Sequence, residues 1–213
     1  MSWSAAVLGF AAIAGVLTII PGLDTALVLR TALIQGRRHA FATALGINTG
    51  ALVWGAGAAV GVSTLLTAST IGYSIVRIAG AAYMIWLGYR FLRSAMSRRT
   101  DNDEFQSSRD GGSTSAWRCW QRGLLTNLLN PKIGAFYVAV LPQFIPSHAP
   151  HLMFGLLLAA VHDLEGVAWF AMLIYGAHSA RRLLSRRSTR RAMDASTGGV
   201  LIGFGVKLGL SAR

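Results

Sequence analysis

Four residues interrupt the first apolar segment of the chain, which covers about residues 3–29. They read Pro21-Gly22-Leu23-Asp24. Proline removes a backbone donor and obstructs the preceding turn, and glycine loosens the chain. A carboxylate near the centre of a bilayer costs about 2.5–3.5 kcal/mol on insertion scales, so it normally faces a cavity or a partner. The pattern predicts a membrane helix that is broken at a solute or ion site.

Asp24 has three roles open to it at this break. It can carry the coupling proton of an antiporter, it can bind the ammonium group of a substrate, or it can simply cap the second half of the helix. Proton antiport needs an acid whose protonation alternates with substrate binding, and no other acid lies at a helix break. Thr25 follows directly and is included in the candidate site.

A second break is predicted at Asn130-Pro131-Lys132. Asparagine followed by proline is the N-cap and first position of a helix, and a helix from there to the next prolines is short for a full span. We expect free N–H groups at this N-terminus to suit a substrate carboxylate. Lys132 either adds positive charge there or extends to the cytoplasmic interface. Asn127, one turn earlier, is included in the candidate site.

Three further polar residues lie near the centre of a later apolar segment: His162, Asp163 and Glu165. His162 and Glu165 are three apart and share a helix face, whereas Asp163 and Glu165 do not. They either form hydrogen bonds inside a helix bundle or take part in proton or substrate transfer. Asn48, the only amide of its segment, likewise forms a helix-to-helix hydrogen bond or lines a cavity. No metal site is expected, because too few ligands converge.

The composition indicates a membrane protein in which these residues are held by apolar helices. Of the 213 residues, 53% are hydrophobic and 13% charged, and the mean hydropathy is +0.48. That leaves room for about six spans of the usual length. The single cysteine, Cys119, excludes an internal disulfide and a cysteine metal cluster. The N-terminus lacks the basic region of a cleavable signal.

The net charge of +12 reflects membrane topology rather than nucleic-acid binding. Arginines crowd the loops after the first, third and fifth apolar segments, and the loops after the second and fourth carry no Lys or Arg. The positive-inside rule places the arginine-rich loops in the cytoplasm and both termini outside. A polar stretch divides the chain. We predict a first three-helix repeat over 1–93, a cytoplasmic linker over 94–120 and a second repeat over 121–213.

The expected fold is an all-α integral membrane protein with six transmembrane helices. Three spans in each half make the halves run in opposite senses, which is the 3+3 inverted repeat of secondary transporters, here with broken helices 1 and 4. Four glycine pairs with GxxxG spacing indicate close helix packing. They are Gly46/Gly50, Gly57/Gly61, Gly199/Gly203 and Gly205/Gly209.

Several blocks of the sequence resemble the LysE/RhtB family of amino-acid exporters. They are Pro21-Gly22-Leu23-Asp24-Thr25 continuing to Gly50, Gly80 to Gly88, Gly123 to Lys132, Leu141-Pro142-Gln143-Phe144 and, more weakly, Gly199 to Gly209. The block ending at Lys132 is the most specific. The chain departs from the family in one place, where Leu23 replaces the second proline of a Pro-Gly-Pro sequence.

The resemblance implies a multi-pass protein of the bacterial inner membrane that exports amino acids or related small metabolites by proton antiport. Expected partners are the small substrate and membrane lipid, with no nucleic acid and no cofactor, and a homo-oligomer is left open. The alternatives are an intramembrane enzyme and a passive channel. The sequence lacks HExxH, GxSxG and GxxxxGK motifs, and no nucleophile accompanies His162. A channel more readily shows repeated rings of polar residues.

Overall fold

The computed structural model describes residues 2–68, 70–96, 115–179 and 187–210, and these residues are almost entirely helical. The main helices are α1 (Trp3–Ile19), α2 (Leu23–Ile34), α3 (Arg37–Ala68), α4 (Thr70–Met96), α5 (Ala116–Leu128), α6 (Pro131–Ala139), α7 (His151–Tyr175) and α8 (Arg187–Leu210). A short 3-10 helix, Leu141–Phe144, follows α6. The described residues contain no β-strand.

Both predicted helix breaks are present, and they are bent by similar angles. The axes of α1 and α2 meet at 53°, and those of α5 and the segment from Pro131 to Phe144 meet at 57°. Asn130 caps α6 as predicted, since its side chain accepts from the N–H of Lys132 and Pro131 occupies the first turn. At α2 the N-cap is Gly22, whose backbone is extended. Asp24 is therefore not the N-cap but a residue of the first turn.

Two apolar clusters fill the interior of the described part of the chain, and both include residues of the broken helices. The larger cluster joins α1, α3, α4, α6, α7 and α8, with Phe10 packed against Phe136 at 5.5 Å between ring centroids. The smaller cluster joins α2, α3 and α7 through residues such as Val28 and Phe170. Since α3 and α7 contribute to both clusters, they fix the two half-helix pairs relative to each other.

Glycines set the closest helix contacts, but only some of the predicted pairs are used. A Cβ on Gly46 would meet backbone atoms of Trp120 and Leu124 on α5. Within the described part of the chain, a Cβ on Gly57 or Gly61 would meet no atom within 4 Å, and the same holds for Gly199 and Gly203. The prediction that these two pairs pack closely is wrong. They lie on outward faces of α3 and α8, because helical phase places only one side of each helix against a neighbour.

Helix α8 packs along α4, in agreement with its predicted packing role. The contact uses Gly198 and Gly205, which approach Gly88 and Ile85 of α4. The linker over 94–120 stays a prediction, although α4 continues to Met96 and α5 begins at Ala116. Residues 97–114 lie outside the described part of the chain.

The surface and the helix lengths suit a membrane. Large apolar side chains are exposed on several helices, including Leu8, Ile34, Leu45, Ile78 and Leu164. Among the described residues, α3 and α7 are long and apolar enough to cross a membrane, and the two bent pairs raise the number to as many as four spans. Helices α4 and α8 are long enough by residue number. They are not among the described helices whose composition is also apolar enough for a membrane span.

Candidate functional site

The two helix breaks face one another across a small cavity. Its walls come from α1, α2, α3, α5, α6 and α7, and its volume is about 40 Å³. That is enough for a few water molecules but not for an amino acid. Nine residues predicted for the site line it: Gly22, Asp24, Thr25, Asn48, Asn127, Asn130, Lys132, His162 and Asp163. Three others, Pro21, Pro131 and Glu165, do not.

Asp24 is held from the second half of the chain by two amides. Asn127 and Asn130 donate from Nδ2 to Oδ2 of Asp24, at 2.9 and 3.2 Å. The side chain of Asp24 is only 7% exposed. Its other oxygen, Oδ1, is buried and has no hydrogen-bond partner among the described residues. Two donors on one oxygen match an ionised carboxylate, and the remaining oxygen is an unused acceptor.

A second hydrogen bond fixes the orientation of the Asn130 amide, whereas Asn127 Oδ1 is buried without a hydrogen-bond partner among the described residues. The Oδ1 atom of Asn130 accepts from the backbone N–H of Lys132 at 3.1 Å, so its Nδ2 must point to Asp24. Asn127 is 1% exposed and packs against Gly50 of α3, where a Cβ would lie 2.7 Å from Asn127 Oδ1. Gly50 therefore leaves the room in which the Asn127 amide is positioned.

Of the two predicted positions, Lys132 takes the one at the break, where it lines the cavity and adds positive charge. It is 5% exposed, so it does not extend to an interface. Its Nζ donates to the backbone carbonyls of Leu17 and Ile20, at 2.9 and 2.7 Å. The carbonyl of Leu17 would ordinarily accept from the N–H four residues later, but that residue is Pro21, which has none. Lys132 supplies the missing donor and places a positive charge at the C-terminus of α1.

The first turn of α6 offers no free N–H group to a substrate carboxylate, contrary to the prediction. The N–H of Lys132 is bonded to the Asn130 side chain, and those of Ile133 and Gly134 are bonded to the Asn130 carbonyl. The first turn of α2 differs. Among the described residues, no hydrogen bond is formed by the N–H groups of Leu23, Asp24 and Thr25. The free helix N-terminus at this cavity is that of α2.

Helix α7 presents His162 and Asp163 to the cavity but turns Glu165 away. The lining positions on α7 also include Gly166 and Phe170. At about 100° per residue they span one sector of the helix, and Glu165 lies on the far side of His162 from that sector. The Glu165 carboxylate instead faces Gly15 of α1, with 3.6 Å between Oε1 and the position of a Cβ there. A shared face with His162 therefore did not bring Glu165 into the cavity.

Two contacts fix α7 at the site. Asn48 donates from Nδ2 to the backbone carbonyl of Asp163 at 3.2 Å, so it both joins α3 to α7 and lines the cavity. Nδ1 of His162 lies 2.9 Å from the hydroxyl of Tyr137, which is fully buried on α6. Sequence reasoning missed Tyr137, and also Thr18 on the cavity wall. One feature of the sequence could have indicated Tyr137, because it lies on the short helix predicted to begin at the second break.

Comparison with known proteins agrees with this architecture. The family profile of the LysE type translocators matches residues 15–212. The chain is 33% identical over 210 residues to an uncharacterized membrane protein, YrhP, of Bacillus subtilis, covering 96% of this chain and 98% of the relative. It is 29% identical to a threonine efflux protein of Salmonella typhi, covering 90% of this chain and 91% of the relative.

A leucine efflux protein of Enterobacter sp. is also 29% identical, with 90% of this chain and 89% of the relative covered. No solved structure matches the chain significantly. Both of these functionally named relatives are efflux proteins, which is consistent with a transporter in a bacterial membrane. Because the profile covers nearly the whole chain, including both helix breaks, this protein belongs to the LysE type translocator family.

Proposed function

We propose that this protein exports a small neutral amino acid across the bacterial inner membrane in exchange for protons. The family and the efflux relatives support amino-acid export. The observation that carries the proposal is the unpaired Oδ1 of the buried Asp24, which lies on the wall of a cavity between two broken helices. Breaks of this kind are where secondary transporters place their substrates.

In the proposed binding mode, Asp24 recognises the ammonium group of the substrate. Its Oδ1 is an acceptor that the protein itself leaves unused, while its Oδ2 is held in place by Asn127 and Asn130. The substrate carboxylate is bound by the free N–H groups at the start of α2, where the helix dipole favours negative charge. A zwitterion thus places both of its charged groups at one helix break.

The proposed size and polarity of the substrate follow from the remaining walls. Ile47, Ala51, Ile133 and Phe170 give the cavity apolar sides. A side chain of modest size and no charge suits such walls, and threonine and leucine, named for two relatives, both meet this description. Since the cavity measures only about 40 Å³, binding must be accompanied by a separation of the half-helices.

Transport by the purified protein in liposomes tests this function. With an imposed pH gradient, we expect accumulation of labelled L-threonine or L-leucine on the side that loses protons, and no accumulation of labelled L-lysine. Collapse of the gradient with a protonophore should stop accumulation but not exchange of labelled for unlabelled substrate. Flux of threonine and leucine that is indifferent to the gradient and never saturates would indicate a channel and contradict antiport.

We further propose six spans in a 3+3 inverted arrangement, with both termini outside. The distribution of arginines between alternate loops supports this topology, and the similar bends of 53° and 57° in the two halves suit an inverted repeat. Reporter fusions after Thr70 and Ser147 should be active in the periplasm, and a fusion after Ser107 should be active in the cytoplasm. The reverse pattern would exclude this orientation.

A further inference from the structure

We propose that Asp163 is the acid that carries the coupling proton, while Asp24 stays ionised and holds the substrate ammonium. The proposal rests on the export function proposed above and assigns separate roles to the two carboxylates that line the cavity. Both Asp24 and Asp163 reach the same space, one from α2 and the other from α7. Their surroundings within that space differ, and the difference decides which of them can exchange a proton during transport.

Asp24 is surrounded by groups that match its charged form. Two amide N–H groups point at its Oδ2, and the Asn130 amide cannot turn its oxygen there without losing its hydrogen bond from the Lys132 N–H. The Lys132 ammonium also lines the cavity and is held on the carbonyls of α1. A proton on Asp24 would weaken this set of charge-assisted hydrogen bonds, so Asp24 is suited to a constant charge.

Asp163 has a fixed position but an unoccupied carboxylate. Its backbone carbonyl accepts from Asn48, which anchors this turn of α7 against α3. Among the described residues, no hydrogen bond reaches its side-chain oxygens, and its side chain is half-buried rather than enclosed. Nothing in the described part of the chain therefore ties the carboxylate to its ionised form, and a proton can reach it from the cavity.

The charges around Asp163 make proton and substrate binding compete. The titratable groups facing it are Asp24 of α2, Lys132 of α6 and His162 of α7, whose ring contacts Tyr137 of α6; Glu165 lies on the other side of α7. With Asp163 ionised, two carboxylates face one lysine ammonium, and the substrate ammonium balances the excess. With Asp163 protonated, the charges of Asp24 and Lys132 already balance, and the substrate ammonium is held less strongly.

This competition gives an exchange cycle in which each proton is conserved. A proton from the outside bonds to a carboxylate oxygen of Asp163, and the substrate is released to the outside. After the cavity opens to the cytoplasm, the same O–H bond breaks and the proton leaves. The ionised carboxylate then favours binding of the next substrate. One proton therefore enters from the outside for each substrate molecule that is released there. The cycle consumes no other reactant.

Asp163→Asn tests the assignment, because it keeps the size of the side chain but cannot ionise. In liposomes we expect this variant to exchange labelled for unlabelled L-threonine at saturating substrate, with a raised KM because the neutral amide matches protonated Asp163. Transport driven by a pH gradient should fall at least tenfold. Asp163→Glu, which can still ionise, should retain gradient-driven transport. The matched control is Asp194→Asn on α8, outside the cavity, where Ser94 donates to the carboxylate at 3.0 Å; it should behave as the wild type.

A binding measurement separates this role from a purely structural one. The affinity of the purified wild type for labelled L-threonine should fall as the pH is lowered, by up to about tenfold per pH unit for one competing proton. Asp163→Asn should bind threonine with an affinity that no longer depends on pH in this range. Full gradient-driven transport by Asp163→Asn, a wild-type pH dependence of its binding, or loss of its threonine exchange would each overturn the proposal.

Failure of the export function has a different signature. If the wild type itself neither binds nor exchanges threonine or leucine, the substrate assignment is wrong. If the wild type transports these amino acids and Asp163→Asn is still driven by the pH gradient, the export function stands and the coupling proton belongs to another group.

Discussion

Asp24→Asn is expected to abolish both exchange and gradient-driven transport of threonine while the protein still reaches the membrane. The variant loses the only charge that faces the proposed ammonium site from α2, and its amide cannot accept from Asn127 and Asn130 as a carboxylate does. Removing one partner of a buried, hydrogen-bonded charge pair costs about 2–5 kcal/mol, or on the order of 30-fold to several thousand-fold in Kd. Equilibrium binding of labelled threonine to the purified variant measures this loss directly.

The comparison with Asp163→Asn gives this measurement its meaning. Both variants replace an acid by its amide in one cavity, but only Asp24→Asn should lose exchange. Asp194→Asn, on the surface of the α4–α8 pair, controls for the loss of an acid as such. Wild-type binding and full gradient-driven export by Asp24→Asn would falsify the ammonium role and leave the residue as a structural group of the first turn of α2.

Gly46→Ala is expected to prevent stable folding. A Cβ at this position would lie 2.8 Å from the carbonyl carbon of Trp120 and 2.9 Å from the backbone nitrogen of Leu124. These are backbone atoms of α5, so they cannot move aside as a side chain would, and the whole of α5 must shift. Overpacking commonly costs about 1–3 kcal/mol, and contact with backbone on the partner helix should place this variant at or above that range.

The same substitution at Gly57 is the matched control. Gly57 lies on the same helix α3, but a Cβ there would meet no atom within 4 Å. We expect Gly57→Ala to be neutral or slightly stabilising, because alanine is the better helix former. Thermal stability in detergent, followed by the loss of a monodisperse peak on size exclusion, measures both variants. Equal melting temperatures for Gly46→Ala and the wild type would contradict the close α3–α5 contact.

The sequence by itself determined where the membrane helices break and that a new helix begins after each break. Proline at position 21 lacks the N–H that the carbonyl of Leu17 would bond to in a continuous helix, and Asn130 before Pro131 combines a preferred N-cap with a preferred first helical residue. These are properties of the local backbone, so they need no tertiary contacts. The low density of charged residues was equally sufficient to indicate a membrane protein, and the quoted sequence blocks pointed to the family.

Only the tertiary structure decided which side chains meet at those breaks. The amide of Asn127 bonds to Asp24 across 103 positions of sequence, and Lys132 reaches the carbonyls of α1. Helical periodicity shows which residues share a face, but the neighbouring helices decide which face is turned inward. For that reason His162 and Asp163 line the cavity and Glu165 does not, although the sequence places His162 and Glu165 on one face. The same dependence on helical phase explains why Gly46 packs against α5 while Gly57 remains uncovered.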